Sequence, residues 1–253
     1  MAPTPLPAAG DPGAEHRLAA EVAQAGFAFV HGAALLPLLE AHAALSDWDA
    51  LAASFDRLAL DGYMADGGRY RRRRHAVLTC DASSDAPVPA PHRPHYQPVD
   101  YNPLNGGVER WYQPVEPALL AGPSLRAVLS FGARFFRRLR PGAAWTVELH
   151  QFRIEASAGA PGQPTPEGLH RDGVDCVLVA LVQRVNVRSG TTTVHAGAGP
   201  GQGALLGSFT LTDPLDAALV DDARVLHGVT AVEPVDPARP AFRDVLVATY
   251  LRA

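Results

Sequence analysis

The chain has 253 residues, of which 47% are hydrophobic and 19% charged, so it can bury a core and is not a disordered composition. Its formal net charge of -4 and the lack of a long basic stretch argue against nucleic acid or an anionic membrane as the main partner. Two cysteines, Cys80 and Cys176, imply neither a disulfide framework nor a cysteine-rich zinc site.

The N-terminal sequence MAPTPLPAAGDPGAEH has neither the basic n-region nor the apolar h-region of a secretory signal. No apolar run approaches the roughly 18 residues that a membrane-spanning helix needs. We therefore expect a soluble, cytoplasmic protein in which the Pro- and Ala-rich residues 1–13 are disordered.

The first half of the chain predicts helices and loops. Residues 14–60 are rich in Ala and Leu but broken by Gly and Pro, which favours a helical N-terminal extension of short helices. Residues 81–117 are rich in Pro, Asn and Gly and predict long loops. A longer helix is predicted after Ser124, its expected N-cap, because apolar residues keep a helical period until Pro141 ends it.

The second half of the chain predicts strands. TVELHQFRIEA alternates between apolar and polar residues, as a half-buried strand does. Short β-branched segments follow, separated by Gly, Pro or Asp turns: DCVLVALVQRV, TTTVHA, ALLGSFTL, AALVDDARVL and DVLVATYL. Regular helices do not alternate with them, so a parallel α/β fold is disfavoured. We predict a single α+β domain over 1–253, with a sandwich or barrel of strands over 143–252.

A candidate metal site opens the apolar run in GLHRDGVDCVLVALV. His170 and Asp172 are two residues apart, so in a strand they share one face, and imidazole with carboxylate suits a borderline divalent metal. His227, at the end of a strand-like run, is the candidate third ligand; His195 is a competitor without a ligand motif around it. The alternatives are a hydrogen-bonding pair at a strand start and an ordinary core histidine.

Two histidines and one carboxylate leave three positions open on a metal, the arrangement of non-haem Fe(II) oxygenases. The residual positive charge would attract an anionic chelator such as 2-oxoglutarate, whose far carboxylate then needs a guanidinium. Arg243 begins the last predicted strand and is the candidate; Arg239, before a proline in a predicted loop, is the runner-up.

Several stretches together resemble the bacterial 2-oxoglutarate/Fe(II)-dependent dioxygenases of the L-isoleucine 4-hydroxylase type. They are EGLHRDGVD, QRVNVRSGTTTVH, LVDDARVLHGVTAVEP and RDVLVATY, with GGRYRRRRHAVL and YNPLNGGVERWYQPVEP upstream. The resemblance covers about residues 60–251. It implies a double-stranded β-helix (jelly-roll or cupin-like) with helices packed outside. It implies that His170, Asp172 and His227 hold the iron and act in catalysis, and that Arg243 binds 2-oxoglutarate.

The implied activity is hydroxylation of an unactivated C–H bond in a free L-amino acid or a small amino-acid-like molecule. The implied requirements are Fe(II), 2-oxoglutarate and O2, with ascorbate as an activator, and the products include succinate and CO2. The carboxylate Asp172 favours hydroxylation, because related halogenases leave that ligand position to chloride. A desaturase or cyclase with the same site, and a non-catalytic β-helix protein that binds a metal or ligand, remain alternatives. The oligomeric state is open.

A zwitterionic substrate needs a cation for its carboxylate and an anion or carbonyl for its amine. Gln151 and Arg153 lie on one face of the strand TVELHQFRIEA and His150 on the other. Because this polar pair interrupts an apolar strand, we hypothesise that Gln151 or Arg153 contacts the substrate or the co-substrate. Glu167 is a second candidate for the amine, and its Gly- and Pro-rich loop SAGAPGQPTPEG could close over the site.

Two further clusters of polar residues are interpreted without a ligand. We interpret the run Arg71–Arg74 as a solvated face or as internal salt-bridge partners near the site entrance, since an acidic chain does not suit a phosphate track. His92 and His95, in PHRPHYQP, have a spacing that could bind a metal. In a Pro-rich loop we interpret that spacing as adventitious.

Overall fold

A computed structural model describes residues 13–197 and 201–253 of the chain. The predicted disorder of residues 1–13 lies outside these ranges, apart from Gly13. The helices are α1 (Ala14–Ala25), α2 (Gly32–Glu40), α3 (Trp48–Ala53), α4 (Pro117–Leu120) and α5 (Pro123–Arg137), with a short 3-10 helix at Ser54–Arg57. Among the described residues, no helix is long and apolar enough to cross a membrane.

The strands are β1 (Phe27–Val30), β2 (Ala59–Leu60), β3 (Arg71–Cys80), β4 (Val88–Pro89), β5 (Trp145–Ala156), β6 (Cys176–Val185), β7 (Val187–Ser189), β8 (Thr191–Ala196), β9 (Leu205–Thr210), β10 (Ala217–Asp221), β11 (Val225–Val229), β12 (Val232–Pro234) and β13 (Ala241–Arg252). The large sheet has the order β1-β10-β6-β13-β5-β3-β2, with β4 beside β3. All of its pairings are antiparallel. Two smaller sheets have the orders β11-β8-β9 and β12-β7.

The large sheet is covered on both faces. On one face, alternate residues such as Val147, Leu149 and Leu246 join a core with the phenylalanines of α5. On the other face, Val177 of β6 packs with Val194 of β8 in the smaller sheet. Side chains in a strand alternate between faces, so each central strand sends every second residue to the helices and the others between the sheets. Two facing sheets with helices packed outside form the expected double-stranded β-helix.

Helix α5 joins the helical layer to the sheet. It begins at Pro123, earlier than predicted, and the expected cap is wrong: Ser124 lies in the first turn and donates its backbone N–H to Asp47 Oδ1 (2.8 Å). Proline at the first helical position lacks only a hydrogen bond that a helix cannot make there. Two sheet residues donate hydrogen bonds to carbonyl oxygens of α5: Trp145 to Ala133 and Tyr250 to Leu129, both at 3.1 Å.

The N-terminal segment is more than a helical extension. Within residues 14–60, β1 forms one end of the large sheet by pairing with β10. The N–H of Gly32, at the start of α2, donates to Asp216 Oδ1 (2.9 Å). The prediction of helices alone is therefore wrong here, because a four-residue apolar strand cannot be distinguished from helix by its pattern.

The arginine run of β3 consists of salt-bridge partners, as one of the two interpretations expected. Each of the four arginines lies near a carboxylate. The pairs are Arg71–Asp61 (2.7 Å), Arg73–Asp61 (3.6 Å), Arg72–Glu155 (2.8 Å) and Arg74–Glu116 (2.7 Å). Arg71 and Arg73 are buried, whereas Arg72 and Arg74 face the opposite side of the strand.

Candidate active site

A cavity of about 330 Å³ lies between the large sheet and the three-stranded sheet β11-β8-β9. Its walls come from alternate residues of the central strands, such as Val177 and Val179 of β6, and from Thr192 and His227 of the facing sheet. The volume falls in the range of small-molecule sites. The polar residues that line it are His95, Gln97, Arg110, Glu148, His150, Glu167, His170, Asp172, His227 and Arg243, among others.

The structure brings His170, Asp172 and His227 together on this cavity. Asp172 Oδ1 lies 3.6 Å from His170 Nε2, and Asp172 Oδ2 lies 3.6 Å from His227 Nε2. One donor atom from each residue lies within 4.8 Å of the other two, so a single ion could touch all three. The donor set of two imidazoles and one carboxylate fits a borderline divalent metal such as Fe(II).

Backbone pairing holds the two histidines face to face. His170 N–H donates to His227 O (3.0 Å) and His227 N–H donates to His170 O (2.9 Å), and the ring centroids are 4.6 Å apart. His170 Nδ1 donates to the carbonyl oxygen of Gly168 (3.1 Å), so Nε2 is the nitrogen that faces Asp172. Burial lowers the pKa of His170, but the hydrogen bond and charge of Asp172 outweigh burial and raise it to about 9. The same carboxylate would be shared with a metal.

Asp222 orients the site and was not among the residues predicted from the sequence. Its buried carboxylate accepts the backbone N–H groups of Asp172 (3.0 Å), Gly173 (2.9 Å) and Val174 (3.2 Å). Gly173 has φ +81°, a backbone conformation that favours glycine, and it turns the three N–H groups toward one acceptor. Asp222 Oδ1 also lies 4.0 Å from His227 Nδ1. The only signal in the sequence was an acidic pair inside the apolar run AALVDDARVL.

Arg243 lies in the same cavity wall as a cation without a partner. Its side chain is 3% exposed, and within the described ranges it joins no ion pair, since its neighbour Asp244 is bound by Arg153. Burial, followed by the positive charge of Arg184, lowers the pKa of Arg243 to about 10. A buried unpaired guanidinium is costly without an anion, so this position suits a carboxylate ligand.

The structure does not place Gln151 and Arg153 at the cavity, so the hypothesis that they contact the substrate is corrected. Gln151 donates to Ser54 Oγ (2.8 Å), and Arg153 forms a two-pronged pair with Asp244 (2.8 Å to each oxygen). Both lie on the helix-side face of β5. His150, on the other face, lines the cavity. Alternation separated the two faces correctly but did not reveal which one meets the cavity.

Glu167 lines the cavity beside the candidate ligands. Its Oε1 lies 3.6 Å from His170 Nε2, and its Oε2 is buried without a hydrogen-bond partner in the described structure. The two competitors from the sequence lie elsewhere. His195 is outside the cavity lining and contacts the carbonyl oxygen of Gly203 (2.9 Å), and Arg239 is exposed.

A second polar group lies on the cavity wall. Glu148 is surrounded by His75, His95 and His150, and donor atoms of all four lie within 4.8 Å of one another. His92, whose spacing to His95 we interpreted as adventitious, is not part of this group: it is exposed and meets the ring of Trp111 edge-on (5.7 Å between centroids). His95 belongs instead to the group around Glu148. Glu148 and His75 were not among the site residues predicted from the sequence.

A double-stranded β-helix that encloses two histidines and one carboxylate defines the class of mononuclear non-haem iron oxygenases. Comparison with protein families agrees with this class. The model of the 2OG-Fe dioxygenase family matches residues 52–249. The chain therefore belongs to the 2OG-Fe dioxygenase family, as the resemblance in its sequence implied.

Two curated relatives are similar to this chain. The L-isoleucine-4-hydroxylase of Bacillus thuringiensis is 26% identical over 160 residues, which is 62% of this chain and 64% of that protein. The match thus spans just under two thirds of that relative. The 3(1)-hydroxy-L-isoleucine 4-dioxygenase of Pantoea ananatis (strain AJ13355) is 23% identical over 211 residues, 81% of each chain.

Solved structures share the architecture. A bsmA homolog from Methylobium petroleophilum PM1 is 38% identical, with a TM-score of 0.83 over 94% of this chain and 93% of that one. The structure of IDO from Bacillus thuringiensis is 18% identical, with a TM-score of 0.74 over 94% of this chain and 99% of that one. The second likeness concerns the fold alone.

Proposed function

We propose that this protein is an Fe(II)/2-oxoglutarate-dependent dioxygenase that hydroxylates an unactivated C–H bond of a free L-amino acid or a small amino-acid-like molecule. Succinate and CO2 would be released with the product. One observation carries the proposal: a two-histidine, one-carboxylate group and an unpaired buried guanidinium line the same cavity. A non-catalytic binding protein has no need of both.

In this proposal His170, Asp172 and His227 hold the iron. Bound iron would supply the chemistry of oxygen activation, driven by oxidative decarboxylation of 2-oxoglutarate. The protein's part is positioning: the backbone bridge between the histidines sets their spacing, and Asp222 fixes the turn that presents Asp172. Ligands held in this way have little freedom to reorganise when the metal binds.

Arg243 would bind the far carboxylate of 2-oxoglutarate. A guanidinium can donate two parallel hydrogen bonds to a carboxylate, and both are strengthened in a buried site. The burial that lowers the pKa of Arg243 still leaves it protonated at neutral pH. Arg243 would thus attract the co-substrate and set its direction relative to the iron.

The amino-acid substrate class is supported by the names of the two curated relatives and by the chemistry of the cavity wall. Apolar residues such as Val177, Val179 and Val247 would contact an aliphatic side chain, whereas charged groups lie beside them. Glu167, next to the iron position, is a candidate contact for an amine. Exclusion of water by this enclosed wall would keep the oxidation directed at the substrate.

Succinate release tests the proposal. Purified protein would be incubated with Fe(II), ascorbate, 2-oxoglutarate and O2, together with each member of a panel of L-amino acids. We expect succinate to rise with at least one amino acid and a product one oxygen atom heavier to form. Asp172→Asn is the matched control, because it keeps the size of the side chain but removes the carboxylate.

The other outcomes distinguish the alternatives. A product two hydrogen atoms lighter would replace hydroxylation by desaturation. Slow succinate release that no amino acid stimulates would retain the oxygenase chemistry but reject the substrate class. Failure to form succinate, in protein that holds iron, would count against the assignment of Arg243 and favour the non-catalytic binding protein.

A further inference from the structure

The carboxylate of Glu148 is an anion held in the cavity wall by imidazoles. Its Oε2 accepts from His95 Nδ1 (2.6 Å) and His75 Nε2 (3.2 Å). Its Oε1 has no hydrogen bond among the described residues but forms an ion pair with the half-exposed Arg93, whose Nη2 lies 3.5 Å away. The side chain is 18% exposed toward the cavity it lines. One oxygen of a largely buried carboxylate thus accepts no hydrogen bond within the described ranges and can accept one from a ligand in the cavity.

The negative charge of Glu148 is not cancelled by the imidazoles around it. Burial alone would raise the pKa of Glu148, but hydrogen bonds from His75 and His95 outweigh it and hold that pKa well below its usual range. Burial lowers the pKa of His95 to about 4, and it lowers that of His75 as well. At neutral pH the imidazoles are therefore neutral and the carboxylate is ionised.

Arg110 is the complementary cation. It is 2% exposed and lines the cavity, and in the described ranges it pairs with no carboxylate. Its one side-chain hydrogen bond is from Nη2 to Gln97 Oε1 (2.9 Å). Within the described residues, Arg110 and Arg243 are the buried cavity arginines that lack an ion-pair partner, because Arg71 and Arg73 share Asp61. A buried guanidinium without a counter-charge is expected where an anionic ligand binds.

Both charges line the same cavity, and a short series of contacts links them to the candidate iron ligand Asp172. His95 and Arg110 exchange both backbone hydrogen bonds at 3.0 Å, so their side chains leave the same side of this bridge. His95 reaches Glu148 directly. Gln97, which accepts from Arg110, donates to the carbonyl oxygen of Asp172 (3.3 Å). A molecule that bridges Glu148 and Arg110 would therefore place its remaining atoms beside the candidate iron ligand.

A second metal ion at Glu148 is a poorer explanation. The carboxylate can only accept, so the nitrogens of His75 and His95 that face it carry protons. Arg73 donates to His150 Nδ1 (2.8 Å), which leaves the proton of that imidazole on Nε2, facing Glu148. None of the three imidazoles then offers a lone pair at the point where a metal would sit, and Arg73 adds repulsion.

We infer that Glu148 and Arg110 form the recognition pair for the substrate's α-amino acid group, with the ammonium on Glu148 and the carboxylate on Arg110. This inference rests on the proposed function and deepens it. It assigns the ammonium to Glu148 rather than to Glu167, since Glu167 lies against His170 at the iron position. The aliphatic side chain of the substrate then extends toward Asp172.

Equilibrium binding without turnover tests the pair. The absorption band of the anaerobic Fe(II)–2-oxoglutarate complex would be titrated with the L-amino acid that stimulates succinate release most. Its analogues without the amino group and without the carboxylate would be titrated in parallel. The variants are Glu148→Gln and Arg110→Met, with Glu148→Asp and Arg110→Lys as versions that keep the charge. The matched controls are Glu155→Gln and Arg72→Met, a salt-bridged pair on β5 and β3 outside the cavity.

We expect Glu148→Gln to weaken binding of the amino acid by about 10- to 100-fold, the typical effect of a charged hydrogen bond, and to leave the analogue without an amino group unaffected. Arg110→Met is expected to do the same for the carboxylate, sparing the analogue that lacks it. Glu148→Asp and Arg110→Lys are expected to retain part of the affinity. Binding of 2-oxoglutarate, read from the same band, is expected to be unchanged in all variants.

Other results overturn the inference. Equal weakening of the amino acid and both analogues by Glu148→Gln would assign Glu148 a structural role. Weaker 2-oxoglutarate binding in Arg110→Met would assign Arg110 to the co-substrate. If the wild-type band forms but no amino acid perturbs it or stimulates succinate release, the proposed substrate class fails, and this recognition pair fails with it. The response of the wild-type protein therefore distinguishes failure of the proposed substrate class from failure of the recognition pair alone.

Discussion

His170 and His227 lie opposite each other in a backbone bridge, with each N–H donating to the carbonyl oxygen of the other at 3.0 and 2.9 Å. Residues 57 positions apart in the chain are thereby held with their imidazoles 4.6 Å apart between centroids. The pairing of two backbone segments, rather than side-chain packing alone, sets the geometry of the candidate metal site.

Removal of one imidazole should therefore abolish metal binding. Loss of a residue that only hydrogen-bonds to a metal ligand typically weakens metal binding by roughly 10- to 100-fold. We expect His227→Ala, which removes a ligand itself, to weaken iron binding by more than this. His195→Ala is the matched control, since His195 lies on the neighbouring strand but outside the cavity. Iron titration by absorption and by metal analysis would measure both. Normal iron binding in His227→Ala would remove that residue from the ligand set.

Replacement of Arg243 should weaken the binding of 2-oxoglutarate. Arg243→Met removes the buried guanidinium, and we expect the KM for 2-oxoglutarate to rise by about 10- to 100-fold. Arg243→Lys keeps the charge but not the two-pronged geometry, so an intermediate KM is expected. Arg239→Met, at an exposed position four residues earlier, serves as the control. An equal rise in KM in both methionine variants would contradict the assignment of Arg243.

Asp222→Asn should loosen the candidate iron site and the fold together. The amide offers one acceptor oxygen, and its NH2 group would face N–H donors that now bond to the carboxylate. We expect a loss of about 1–3 kcal/mol in the free energy of unfolding and weaker iron binding by about 10- to 100-fold. Denaturant unfolding and iron titration would measure the two effects. The exposed Asp213→Asn variant should show neither.

Arg153→Met should affect stability but not substrate binding. The substitution leaves the Asp244 carboxylate buried with only Gln183 donating to it, and we expect a loss of about 3–5 kcal/mol in the free energy of unfolding. The double variant Arg153→Met, Asp244→Asn should recover part of that loss. Steady-state kinetics should give an unchanged KM for the amino acid. A raised KM in folded enzyme would return Arg153 to the substrate site.

The folded chain should lose stability as pH falls from about 6.5 to 4. In the unfolded chain His95 binds a proton near pH 6.5, but burial holds its folded pKa at about 4, so unfolding takes up a proton in this range. Acid therefore favours the unfolded chain, by up to about 3 kcal/mol from this residue. His75 and His150, which face His95 with Glu148, Arg73 and Arg110, shift in the same direction.

His95→Gln isolates the contribution of His95 to this pH dependence. Glutamine does not titrate, so the slope of unfolding free energy against pH should fall by up to about 1.4 kcal/mol per pH unit between pH 4 and 6.5. Denaturant unfolding at a series of pH values would measure the slope. A slope identical to that of the wild type would show that His95 keeps an ordinary pKa in the folded protein.

Much of the architecture was predictable from local pattern. Alternation in TVELHQFRIEA and the short β-branched segments after it identified strands that the structure contains as β5, β6, β8, β9, β10, β11 and β13. Strand β1 was missed, because Phe27–Val30 is short and apolar throughout and its assignment depends on pairing with β10. Pairing between distant segments is not visible in a local window.

The sequence by itself determined which chemistry the chain could carry. The spacing of His170 and Asp172 puts both on one side of an extended segment. The sequence motifs that flank them are similar to those of the 2OG-Fe dioxygenase family, to which the chain belongs. The tertiary structure alone decided which face of β5 meets the cavity. Both faces of that strand are buried, one by helices and one by the facing sheet, so alternation could not distinguish Glu148 from Gln151.

The roles of the charged residues Asp222 and Arg110 were likewise visible only in the tertiary structure. Asp222 and Arg110 owe their place to contacts with residues far along the chain or across a loop, and the loop around Arg110 carries no regular period. A buried charge is meaningful only in relation to its partner or to the lack of one. That relation is a property of the folded molecule, because burial and the distances between charges arise when the sheets close on each other.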